Sequence, residues 1–103
     1  MTKSPTVTLS SGGGSHFAYY DDENLVVEWY DFGPEAPYES ANMLRFAVAE
    51  YRRLAAILDP SQPPPDPEGL LVLLQANFQT YFQVKAFALE HGISFTATVD
   101  FMP

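Results

Sequence analysis

The sequence predicts a single α+β domain over residues 1–103, with two helices on one face of an antiparallel sheet and the order β-β-β-α-α-β. Three observations predict this class. Short runs near both ends alternate apolar and polar residues, two longer segments repeat apolar residues every three or four positions, and turn-forming residues separate them. A chain of 103 residues with 47% hydrophobic residues can bury one small core.

Three strands are expected before the first helix. Residues 1–5 are expected to be a flexible N-terminus, and "TVTLS" at 6–10 alternates as a short strand does. The glycine-rich segment 11–15 predicts a loop, because three successive glycines cannot pack. "HFAYY" and "LVVEWYDF" then form a hairpin around the polar break at 21–24.

The second hairpin strand has two mixed faces. Leu25, Val27 and Trp29 share one face, and Val26, Glu28 and Tyr30 share the other. Because one face must meet the core, the other shows tyrosine and valine among carboxylates, a surface that suits a protein partner.

Two helices follow in the prediction. Ser40 is the expected N-cap of the first helix, whose apolar stripe runs to Asp59-Pro60. A proline-rich turn at 60–66 leads to Asp66 and Pro67, an N-cap and a first helical residue. The second helix is expected over 67–91, with Gly92 after its end.

The second helix also predicts assembly. From residue 69 to residue 84 it has no charged side chain, and it offers more apolar surface than one small sheet can cover. A homodimer through the 67–91 helix is therefore expected.

The last strand is "ISFTATVDF" at 93–101, in which apolar and polar residues alternate strictly. Trp29 and Phe95 are expected in the core.

Charge excludes several partner classes. The net charge is −8, and the stretch 21–39 holds seven carboxylates without a cation. Binding to nucleic acid or to an anionic membrane depends on clustered cations, so neither partner is expected. Solubility alone is the other explanation of such a charge.

Residues for catalysis or metal binding are scarce. The chain has no cysteine, and its two histidines, His16 and His91, lie far apart without carboxylates at metal-ligand spacing. No catalytic motif is present, so no catalytic residue, cofactor or metal is predicted. The sequence favours a non-enzymatic role but leaves enzymatic activity open. The first fifteen residues lack a hydrophobic leader run, which predicts a cytoplasmic protein.

Two functions compete on these grounds. The first is a small acidic interaction protein of the inhibitor, immunity or antitoxin kind, which binds a basic partner surface through its acidic and aromatic hairpin. The expected binding residues are Asp21, Asp22, Glu23, Glu28, Tyr30, Asp31, Glu35, Tyr38 and Glu39. The alternative is a homodimeric small-molecule-binding domain, with or without enzymatic activity, whose pocket between sheet and helices includes Gln75, Gln79 and Gln83.

Overall fold

The fold is a five-stranded antiparallel sheet with three helices, in the order β-β-β-β-α-α-α-β. The structure is a computed structural model and describes residues 6–10, 14–31, 39–60 and 66–102. Its strands are β1 (Val7–Ser10), β2 (Ser15–Asp21), β3 (Asn24–Asp31), β4 (Glu39–Phe46) and β5 (Thr96–Met102), and its helices are α1 (Val48–Leu58), α2 (Pro67–Asn77) and α3 (Tyr81–Glu90). The strands lie side by side in chain order. The predicted α+β class and antiparallel sheet are confirmed, with one more strand and one more helix than expected.

The additional strand, β4, replaces the predicted start of the first helix. Ser40 is not an N-cap; it lies in β4 opposite Asp31. Helix α1 begins eight residues later, after Ala47, which makes no side-chain capping bond. Segment 40–46 contains good helix formers, but hydrogen bonding to β3 on one side and β5 on the other decides its conformation.

The additional helix comes from a break in the predicted 67–91 helix. α2 ends at Asn77, and α3 starts after Thr80, whose hydroxyl accepts a hydrogen bond from the Gln83 amide at 3.1 Å. Two helices of 11 and 10 residues can both lie on a small sheet, whereas one of about 37 Å could not. The predicted start is confirmed, because the Asp66 carboxylate accepts from the Gly69 amide at 2.7 Å.

All three helices cover one face of the sheet. Strand side chains on this face are buried with apolar residues of all three helices. They are Ala18, Tyr20, Leu25, Val27, Leu44 and Phe46. Burying a leucine or phenylalanine contributes roughly 1.5–3 kcal/mol, so this face supplies most of the stability. Trp29 and Phe95 are partly buried and pack against this core.

Within the described segments, no helix is long and apolar enough to cross a membrane.

Candidate functional site

The predicted hairpin is present and ends in a two-residue acidic turn. Asp21 pairs with Asn24, so Asp22 and Glu23 form the turn, and both are exposed. Asp22 has a φ of 57°, a left-handed conformation that aspartate tolerates better than most residues. We refer to Asp22 and Glu23 as the hairpin tip.

The face of the sheet opposite the helices, here the open face, combines aromatic, acidic and small polar side chains. Cross-strand register places on it Phe17, Tyr19, Asp21, Val26, Glu28, Tyr30, Ala41, Met43, Arg45, Thr96, Thr98 and Asp100. Three of these residues, Tyr19, Val26 and Ala41, are buried but lie outside the core formed with the helices.

A polar network fixes the centre of the open face. The Tyr19 hydroxyl donates to Glu28 Oε1 at 2.7 Å, and Arg45 forms an ion pair with Asp21 at 3.3 Å. Val26 lies between Tyr19 and Arg45 in the cross-strand register, and the Phe17 ring stacks on Tyr19 with centroids 6.0 Å apart. These contacts hold an aromatic cluster in place between two carboxylates.

Burial, followed by the hydrogen bond to Glu28 and its negative charge, raises the pKa of Tyr19 above its ordinary range. Tyr19 therefore remains a neutral hydrogen-bond donor to Glu28 at physiological pH. Arg45 balances only Asp21, so the described open face has an excess of negative charge from Glu28 and Asp100.

The structure distributes the predicted binding residues over three places. Asp22 and Glu23 form the hairpin tip. Asp21, Glu28 and Tyr30 lie on the open face, with Asp21 next to the tip and Tyr30 at the far end of the hairpin. Asp31 lies on the helix side of the sheet opposite Ser40. Two predicted residues, Glu35 and Tyr38, fall outside the described residues, and Glu39 is described only as the first residue of β4.

The glutamines of the alternative pocket make structural bonds. Gln75 Nε2 donates to the Thr8 carbonyl at 3.0 Å, which ties α2 to β1. Gln83 Oε1 accepts from the Gln79 amide at 2.7 Å, in the connection between α2 and α3. All three side chains are exposed, and none lines either cavity described next.

A groove that the sequence did not predict lies beside the hairpin tip. It consists of two adjoining cavities of about 360 and 590 Å³ that share Tyr20, Tyr51, Arg52 and Pro67. The hairpin tip lines the larger cavity. We name this feature the tip groove. Sequence patterns do not reveal this groove, because its residues come from a strand end and two helices that are far apart in the chain.

Two tyrosines give the tip groove a fixed shape. The ring of Tyr20 meets that of Tyr51 nearly edge to face, with centroids 5.6 Å apart. The Tyr20 hydroxyl donates to the Pro67 carbonyl at 2.9 Å, and burial raises the pKa of Tyr20 above its ordinary range. The groove therefore offers an aromatic wall with Arg52 and the tip carboxylates at its margin.

His16 has a structural role. It is buried, and its Nδ1 accepts a hydrogen bond from the backbone amide of Tyr81 at 3.0 Å, at the start of α3. Its ring also stacks on Trp29, with centroids 6.1 Å apart. Among the described residues, no group of three or more carboxylates and histidines is arranged to hold a metal ion.

No family model, curated protein or solved structure matches this chain. A function therefore has to be inferred from the geometry and chemistry of its own residues.

Proposed function

We propose that this protein is a small non-enzymatic interaction module that binds a basic protein surface through its hairpin tip and open face. The observation that carries the proposal is the composition of the open face, where an aromatic centre lies among carboxylates on the side of the sheet away from the helices. This arrangement fits the inhibitor, immunity or antitoxin type of protein.

Charge supports a basic partner. The chain has a net charge of −8, and the hairpin tip adds two exposed carboxylates to those of Glu28 and Asp100, which lie further along the open face. Clustered charge of one sign attracts an oppositely charged surface and raises the association rate.

The aromatic side chains of the open face can supply binding energy that exposed charges do not. Phe17 and Tyr30 are partly exposed on the open face, so contact with a partner would remove their remaining surface from water. Tyrosines and other large side chains at the middle of an interface commonly carry most of its binding energy, whereas peripheral charges contribute mainly to the rate. The open face provides both kinds of residue within three neighbouring strands.

The test changes the charge of the hairpin tip without disturbing the fold. Asp22→Asn removes one negative charge and keeps a residue that tolerates positive φ, and Glu23→Lys reverses the second. The control is Ala86→Lys with Glu90→Lys, which produces the same change in net charge at exposed positions of α3. Circular dichroism checks that both double variants are folded.

Partners captured from a lysate of the native host are purified, and their association rates are measured at low and high salt. We expect a basic partner whose association slows about tenfold with the tip variant at low salt, and much less at high salt. The control variant should slow association with this partner less than the tip variant does. Equal association rates of wild type and tip variant at low salt, or capture of acidic partners only, would refute the proposal.

The tip groove favours a second candidate, a small-molecule-binding domain. Its volume lies in the usual range for ligand sites, and it lies between the end of the sheet and helices α1 and α2. Native mass spectrometry of protein from its own host tests this candidate. A retained ligand that is lost in Tyr51→Ala would support it, and ligand-free protein would count against it.

The predicted homodimer also remains a proposal. Val72, Phe82 and Leu89 are 61, 52 and 66% exposed on α2 and α3, so apolar surface is present on the segment that was expected to pair. A dimer could also form through the edge strand β5 of the sheet.

A further inference from the structure

β5 forms an exposed edge of the described sheet. It pairs with β4 over seven residues and ends the strand order β1-β2-β3-β4-β5. The described side chains of β5, from Thr96 to Asp100, are exposed on both faces of the sheet, and Val99 is 46% exposed. An edge strand carries backbone N–H and C=O groups directed away from its one neighbour, and these can pair with another strand.

The opposite edge, β1, is protected in three ways. It has only four residues, and its register shifts between Thr8 and Ser10. In addition, the Gln75 side chain donates a hydrogen bond to the Thr8 carbonyl. Short length, an irregular register and a covering side chain all hinder pairing with a further strand. β5 is longer, its pairing with β4 is regular throughout, and it contains neither proline nor lysine.

We propose that the β5 edge binds the β5 edge of a second copy of this chain, so that the two sheets join into one antiparallel sheet of ten strands. A two-fold axis at Val99 places Val99 opposite itself and Thr98 opposite Asp100 of the other copy. Paired strands of identical sequence form an isologous interface, in which each contact occurs twice.

The occupant is a second copy because β5 is complementary to itself. Asp100 is the only charged residue of β5, and in this register it faces threonine, so no like charges oppose each other. Ala97 and Val99 lie on the helix side of the sheet but are exposed, because the helices pack mainly over β1, β2 and β3 and the core ends at β4. Pairing brings these residues from both copies together on that side.

The same features limit the strength of the dimer. A seven-residue strand is roughly 23 Å long, so the interface is at the small end of stable protein contacts. Each copy also has a net charge of −8. We therefore expect a reversible dimer that is stabilised by added salt, because salt screens the repulsion between copies.

Two lysine variants of β5 test the register. Val99→Lys places two lysines opposite each other on the two-fold axis, and Thr98→Lys places each lysine opposite Asp100 of the other copy. Both positions are exposed and both substitutions add one positive charge, so they are matched controls for each other. In sedimentation velocity over a range of concentrations, Val99→Lys should be monomeric, and Thr98→Lys should dimerise at least as strongly as wild type.

Cysteine cross-linking tests the axis independently. The chain has no cysteine, so a single introduced thiol can only link two copies. Val99→Cys should form a covalent dimer under mild oxidation at least tenfold faster than Ser94→Cys, an exposed position before β5. Thiols opposite each other on paired strands lie within disulfide range.

Circular dichroism first confirms that each variant is folded. A monomeric wild type at high salt and high micromolar concentration would overturn the proposal. So would a dimer that persists in Val99→Lys, which would point to the exposed residues of α2 and α3. Equal cross-linking of the two cysteine variants, or pairing of β5 only with a strand of another protein, would overturn it as well.

Discussion

Gly14 lies directly before β2 in a place where a side chain does not fit. Its φ is 114°, and a Cβ added there would lie 2.5 Å from the Tyr30 carbonyl oxygen and 2.9 Å from Trp29 Nε1. Gly92 provides a matched comparison, because its φ is 67° and an added Cβ would meet nothing within 4 Å. Gly14→Ala and Gly92→Ala therefore differ mainly in the contact that the new methyl group makes.

The expected cost of each substitution follows from these contacts. Gly92→Ala adds only the strain of a left-handed alanine, about 1 kcal/mol. Gly14→Ala adds a backbone strain of roughly 1–3 kcal/mol, because a φ of 114° lies outside the left-handed region that alanine can adopt. It also adds a steric term of about 1–3 kcal/mol, because the Tyr30 carbonyl belongs to the β3 backbone and cannot move freely. The total of about 2–6 kcal/mol is a large part of the stability of a small domain.

Urea unfolding of both variants measures the two costs. Trp29 is the only tryptophan, so its fluorescence reports the environment that Gly14→Ala would disturb. Trp29 contacts Phe82 at a centroid distance of 4.7 Å, and we expect its emission to change in the Gly14 variant alone. Equal destabilisation by the two alanines, with unchanged tryptophan emission, would show that the described packing of Gly14 is wrong.

Three further substitutions or conditions test the fold. In urea unfolding, His16→Phe should lower the free energy of unfolding by about 1–3 kcal/mol, because the buried Tyr81 amide loses its hydrogen-bond acceptor. His16→Asn, which retains an acceptor, should lower the free energy of unfolding less than His16→Phe. Asp66→Ala should cost about 1 kcal/mol through loss of the α2 N-cap, seen as a lower Tm. Because the pKa values of Tyr19 and Tyr20 are raised in the folded state, the folded protein holds their protons more tightly. Their contribution to stability should be complete below about pH 10 and be lost as pH rises further, so tyrosinate absorbance should increase together with loss of circular dichroism.

The hairpin was predictable because its information is local. β2 and β3 have aromatic and β-branched residues in alternation, and a polar break separates them. The prediction that Val26, Glu28 and Tyr30 share one face is confirmed by the cross-strand register. The prediction could not show which face meets the helices, since both faces carry large side chains.

β4 was not predictable in the same way. Its residues include alanine, methionine, leucine and arginine, and the apolar spacing continues into α1 without a break. Its strand conformation depends on pairing with β3, close in sequence, and with β5, more than fifty residues later. Non-local hydrogen bonds of this kind override local helix propensity.

The break between α2 and α3 did have a local signal. Thr80 and Gln83 have the spacing of a capping box, with threonine at the N-cap and glutamine three residues later. The Gln83 side chain reaches back to the amide of Gln79, next to the N-cap. Neither glycine nor proline occurs at the break, and the uncharged run through it favoured one long helix.

The interaction proposal and the dimer proposal require opposite responses to salt, although both concern the same sheet. Binding of a basic partner to the hairpin tip and open face depends on attraction between unlike charges, so added salt weakens it. Pairing of two β5 edges brings together two chains of charge −8, so added salt strengthens it. Asp100 and Thr98 lie on the open face and also on the edge strand, so Thr98→Lys should favour the dimer and disfavour the basic partner. Opposite effects of this one substitution would separate the two interactions, whereas a parallel loss of both would mean that one surface serves both.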